Sequence, residues 1–121
     1  MYYFLERGMA VLKPKQPFLD WINQSFIELP QPLTLESIRI DANSYLIPEV
    51  EELEDGINYI DEQFIHLFEL ELTSWTDDKK LWPHELTLKM FWEWFDVEIH
   101  STVIDTASDI EDEEPEASTI H

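Results

Sequence analysis

Cysteine is absent from the 121-residue chain. Disulfides, thiolate nucleophiles, cysteine–zinc sites and iron–sulfur ligation are excluded with it. Glycine is almost as scarce, and neither Gly8 nor Gly56 stands in a phosphate-cradling loop. Basic residues number 7 against 27 acids, a formal charge of −20. So few Lys and Arg exclude direct nucleic-acid binding, because phosphate neutralisation needs them, and argue against anionic membranes. No apolar run approaches the roughly 18 residues of a membrane span. The opening Tyr2-Tyr3-Phe4-Leu5 meets Glu6 and Arg7 at once, which is not a signal-peptide pattern. The expected compartment is the cytoplasm.

What the chain does hold is apolar material for a core: 44% hydrophobic and 13% aromatic residues. One domain of ordinary size fits this length. Residues 1–8 read as a loose N-terminal extension. Met9-Ala10-Val11-Leu12, ended by Lys13-Pro14, reads as a buried strand. Phe18, Trp21, Ile22 and Phe26 then recur on one helical face, with Pro17 suited to the first turn. Thr34 caps a short second helix through Leu35 and Ile38. Tyr45-Leu46-Ile47 is a second strand closed by Pro48.

The clearest helix runs from Glu51 to about Leu70, with Leu53, Ile57, Ile60, Phe64, Leu67 and Phe68 as its apolar stripe. If it ran further, Glu71 would fall in the middle of that stripe and need a buried partner. An end or bend near Leu70 is the simpler expectation. Residues 73–84 read as a loop, and Leu88, Phe91 and Phe95 mark a further helix. From Asp96, Val97, Ile99, Ser101 and Val103 alternate with Glu98, His100 and Thr102, the pattern of a half-buried strand. Residues 105–121 are acidic, without bases or aromatics, and read as a disordered tail. The order β-α-α-β-α-α-β over residues 9–104 predicts a small two-layer α+β domain. About three strands would pack against three or four helices, with strands 9–13 and 96–104 as neighbours.

The stretches Met9-Ala10-Val11-Leu12-Lys13-Pro14, Phe18-Leu19-Asp20-Trp21 and Trp92-Glu93-Trp94-Phe95-Asp96-Val97 resemble a family of small acidic bacterial proteins of unknown function. The resemblance covers most of residues 9–104. It implies a bacterial, cytoplasmic protein and brings no catalytic or binding residues with it.

Three chemistries compete for the acids and aromatics. Glu62, His66 and Glu69 share one helix face, and Glu98 and His100 one strand face. No HExxH motif or calcium loop accompanies them, so no metal is assigned. A carboxylate enzyme would need an acid in an apolar pocket, for which Glu71, Glu93 and Glu98 are the candidates. No catalytic residue and no cofactor are assigned. The third chemistry is docking. No base stands between Arg39 and Lys79, whereas 12 acids do. Glu51, Asp55, Glu62 and Glu69 lie opposite the apolar stripe over about 27 Å of helix. Such a face suits a partner protein with a basic surface, and a nucleic-acid-binding protein met by mimicry is the sharpest form of that idea. Trp92 and Trp94 point about 200° apart on one helix. One of them therefore leaves the core unless the loop bearing Trp75 and Trp82 folds back over it. Trp82, Trp92 and Trp94 are the candidate aromatic anchors. A structural component of a bacterial complex, joined through such anchors, is a further alternative.

Overall fold

The computed structural model describes residues 3–26, 31 and 33–107. Its elements are β1 (Tyr3–Leu5), β2 (Arg7–Pro14), α1 (Gln16–Ser25), α2 (Leu35–Arg39), β3 (Asn43–Pro48), α3 (Leu53–Thr73), α4 (Leu88–Trp94), β4 (Phe95–His100) and β5 (Val103–Asp105), with a 3-10 turn at Lys79–Leu81. The three-stranded sheet has the order β3-β2-β4, antiparallel throughout, and β1 pairs with β5 in a second, two-stranded sheet. The expected α+β architecture is present, and β2 and β4 are the expected neighbours, with Leu12 opposite Val97.

Strand β2 alternates strictly: Gly8, Ala10, Leu12 and Pro14 are buried, while Met9, Val11 and Lys13 stand on the outer face. Facing them inward are Ile47 of β3 and Phe95 of β4. The helices cover this one side, and Phe18, Phe68, Phe91 and Phe95 form its fully buried aromatic centre. The rings meet at 5.2–6.0 Å, several of them edge to face, the arrangement that aromatic quadrupoles favour.

Three expectations change. The loose extension over residues 1–8 gives way to strand from Tyr3, because β1 pairs with β5, Leu5 opposite Val103. Between that pair and Met9 opposite His100, three residues on one side face two on the other. This one-residue mismatch is the kink by which a bulge re-aims a ribbon, and it splits one long ribbon into two sheets. The last strand is accordingly broken at Ser101–Thr102 rather than continuous. Of the acidic tail expected over 105–121, Asp105 instead closes β5, and residues 108–121 lie outside the described residues.

The third change is in α3. Leu53, expected in the apolar stripe, is 64% exposed. The helix first meets the sheet a turn later, at Gly56, which is buried. A Cβ there would sit 2.8 Å from Ile99 Cδ1 and 2.9 Å from Ile99 Cγ2. Because Cγ2 hangs on a stiff β-branched carbon, it cannot swing aside. Gly56→Ala gains about 1 kcal/mol of helix propensity but overpacks the contact at a cost of about 1–3 kcal/mol. We expect net destabilisation in the wild-type background and net stabilisation in Ile99→Ala, read by urea unfolding of the four proteins of the cycle. Equal effects in both backgrounds would remove the contact as the cause.

Candidate functional site

Helix α3 does not end at Leu70. It runs to Thr73 and carries Glu71 into the interior, at 3% exposure. The alternative set aside from sequence, a buried Glu71 with a partner, is the one realised. Its partners come from the edge strand β3: Tyr45 Oη donates to Glu71 Oε2 at 2.5 Å, and Asn43 Nδ2 donates to the same oxygen at 3.0 Å. Burial pushes the Glu71 carboxyl up from its ordinary value, and the two hydrogen bonds pull the other way. Burial and the neighbouring carboxylate together raise the Tyr45 phenol. Ser74 Oγ donates back to the Glu71 carbonyl and closes the helix end.

Glu71 forms part of the wall of a cavity of about 210 Å³. Its buried floor is Pro14, Phe18 and Glu71; Ile38 and Ala42 line one side, and Asp41, Asn43, Ser74 and Trp75 stand exposed at the rim. No base lines it.

The acidic face is the second feature. Glu54, Asp55 and Glu62 are exposed on α3 and Glu69 is half-buried, all turned away from the sheet. Glu51, expected on the helix, lies exposed in the turn that leads into it. Asp55 has a local duty as well, accepting the Glu52 N–H at 3.3 Å as part of the helix cap. None of the seven bases stands on α3. Lys13, Lys15 and Arg39 gather instead on and beside the sheet: Lys13 pairs with Glu98 at 2.6 Å, and Arg39 with Asp96 at 3.0 Å. The hydrogen-bonded Lys13 ammonium, with His100 beside it, holds the Glu98 carboxyl below its ordinary value. Glu98 and His100 thus belong to a surface ion-pair row. Among the described residues no three His, Asp or Glu side chains come together as metal ligands.

The aromatic anchors are engaged internally. Trp92 donates to Asp61 of α3 at 2.8 Å, while Trp94 packs on Phe68 of α3 and on Phe18 and Trp21 of α1. Helix α4 lies between α1 and α3, so two residues 200° apart both find cover. The loop folds back as well: Trp82 Nε1 donates to the Thr76 carbonyl at 3.1 Å, and Trp21 Nε1 to the Leu81 carbonyl at 2.8 Å. Trp82 and Trp94 still reach a shallow groove beside Trp21 and Pro83. Trp75, which was not among the candidate anchors, is the most exposed of the tryptophans described, at 36%.

Fold and surface together define a small α+β protein with an acidic helix that carries no base on one side and a carboxylate-floored cavity at the sheet edge. Compared with protein-family models, with curated proteins and with solved structures, the chain finds no match. Among the described residues no helix is long and apolar enough to cross a membrane.

Proposed function

We propose that this is a non-catalytic interaction protein that docks the outer face of α3 on a protein with a basic surface. The observation that supports this most is the segregation of charge. The bases pair with acids on the sheet or stand outside α3, and the α3 carboxylates are left without an ion pair among the described residues. Exposed charges of one sign raise the encounter rate with an opposite surface and disfavour wrong partners.

The density of charge bears on the kind of partner. Glu54 to Glu69 spans about 22 Å of helix, one carboxylate per ~6 Å. Duplex DNA carries one charge per about 1.7 Å. The helix alone is too sparse to imitate a duplex. Mimicry of nucleic acid would also need Glu49, Glu51 and Glu52, all exposed in the turn before it. A basic protein surface that supplies a few Lys or Arg is the better fit.

The reading is tested by capture from lysate with three versions of the chain. Glu62→Lys/Glu69→Lys is expected to weaken retention of a basic partner about tenfold. Asp77→Lys/Glu85→Lys changes the net charge equally at exposed loop positions and should leave retention unchanged. Release should also come early in a salt gradient, since exposed charges are screened beyond about 8 Å at physiological ionic strength. Equal loss with both double variants would mean that net charge, not this face, drives the binding.

A further inference from the structure

The cavity at the edge of β3 is used neither by the acidic helix face nor by the core. Its chemistry is set by three observations. Glu71 Oε2 takes both available donors, Tyr45 and Asn43. No described residue donates to Oε1, yet no wholly buried side-chain oxygen among the described residues lacks a partner. Oε1 is therefore not wholly buried, and the cavity is the open space that Glu71 lines. A second carboxylate, Asp41, stands at the rim. The bases of the neighbouring segments are committed elsewhere, Arg39 to Asp96 and the Pro14 carbonyl and Lys15 towards Asp96. Finally, the accessible apolar part of the wall is Ile38, Ala42 and the Trp75 indole at the mouth, beside the polar Asn43 and Ser74, while Phe18 beneath them is fully buried.

Two carboxylates without a base repel an anion. A divalent metal asks for six or more oxygen ligands, or for a histidine-rich set, and the cavity has neither. An organic cation asks for a carboxylate to meet its head and for an apolar or aromatic wall to cover its stem. A volume of 210 Å³ is about seven times the ~30 Å³ share of a water molecule, enough for a short alkyl chain and its ammonium. We infer that this cavity binds a primary alkylammonium group, that of a free small amine or of a lysine side chain, through Glu71 Oε1 and Asp41, with its stem against Ile38, Ala42 and Trp75. The bound cation supplies the counter-charge that the buried carboxylate lacks.

The test is a titration of the isotope-labelled full chain, followed by the amide resonances of Ser74 and Trp75, the Trp75 indole and the Asn43 side chain. The probes are n-butylamine hydrochloride, n-butanol and sodium butyrate at neutral pH. Saturable shifts with butylammonium alone are expected. Glu71→Gln, which keeps an acceptor for Tyr45, should weaken the response about tenfold, and Asp41→Asn, at an exposed position, about threefold. Should Glu71→Gln fail to fold, judged by its spectrum away from the cavity, Asp41→Asn carries the test alone. Equal shifts with butanol, a response to butyrate, an undiminished response in whichever variants fold, or no saturation up to about 50 mM amine would each overturn the inference. N-acetyl-lysine methylamide separates the two sources. Tighter binding than butylamine assigns the site to a lysine side chain, and exclusion of this probe assigns it to a free amine.

Discussion

Phe68→Ala is expected to cost about 3–5 kcal/mol of folding stability, the range for removing a buried aromatic ring. Phe68 is fully buried and meets Phe91, Trp94 and Phe95 at ring-centroid distances of 5.2–6.0 Å. It is the ring through which α3 touches both α4 and β4. Small domains are held by only about 5–15 kcal/mol, so this loss leaves a substantially unfolded population. Urea unfolding followed by tryptophan fluorescence measures it directly. Leu53→Ala, at a position 64% exposed on the same helix, should shift stability by less than about 0.5 kcal/mol. The contrast between the two matters more than either value. If Leu53→Ala proved the costlier, the helix would be facing the sheet with a different side.

The second large effect is at Glu71, and its sign follows from linkage. Burial raises the folded-state value of this carboxyl above the 4.5 of the free group. Below about 4.5 both folded and unfolded chains hold the proton, and the group is neutral to stability. As pH rises from there through the folded-state titration, the unfolded chain releases its proton first. Stability falls across that window and levels off above it. Each unit that separates the two values is worth about 1.4 kcal/mol. The groups that face this carboxyl are Tyr45 and Asn43 from β3, with the Asp41 carboxylate at the rim of the same cavity; the Ser74 hydroxyl bonds the Glu71 backbone carbonyl instead. Glu71→Gln has no proton to release, so its advantage over wild type should grow with pH over the same window. Glu71→Ala removes the acceptor of the half-buried Tyr45 hydroxyl. It should lose about 1–3 kcal/mol relative to Glu71→Gln, the cost of a buried donor left unpaired. Unfolding curves of the three proteins between pH 4 and pH 8 decide it. A wild-type protein whose stability relative to Glu71→Gln is flat over that range would mean that Glu71 is solvated.

Glu71 also shows where pattern reading stops. Its place in the apolar stripe of α3 was plain, and so was the conflict this created. Pattern alone favours an end to the helix there, because an acid among apolar neighbours is costly without partners. Those partners, Tyr45 and Asn43, stand 26 and 28 residues away on an edge strand. A period of 3.6 residues reports which side of a helix turns inward, not what waits there. The tryptophans followed the same rule. Helix geometry correctly placed Trp92 and Trp94 on opposite sides, but only the seating of α4 between α1 and α3 decided that both sides are covered.

Local chemistry was legible where one segment contains all of it. The Thr34 side chain accepts from the Ser37 N–H, the amphipathic face of α1 buries Phe18, Trp21 and Ile22, and β4 turns Asp96, Glu98 and His100 outward. The α+β class and the absence of bases from α3 follow from periodicity, turn residues and charge order, all of which are properties of neighbours in the chain. Only the tertiary structure decided that residues 3–5 pair with 103–105, that Glu71 is buried, and that Asp41, Asn43, Ser74 and Trp75 ring one cavity. Each of these joins groups far apart in sequence, and the free energy that selects them comes from packing and hydrogen bonding between elements rather than from preferences within one.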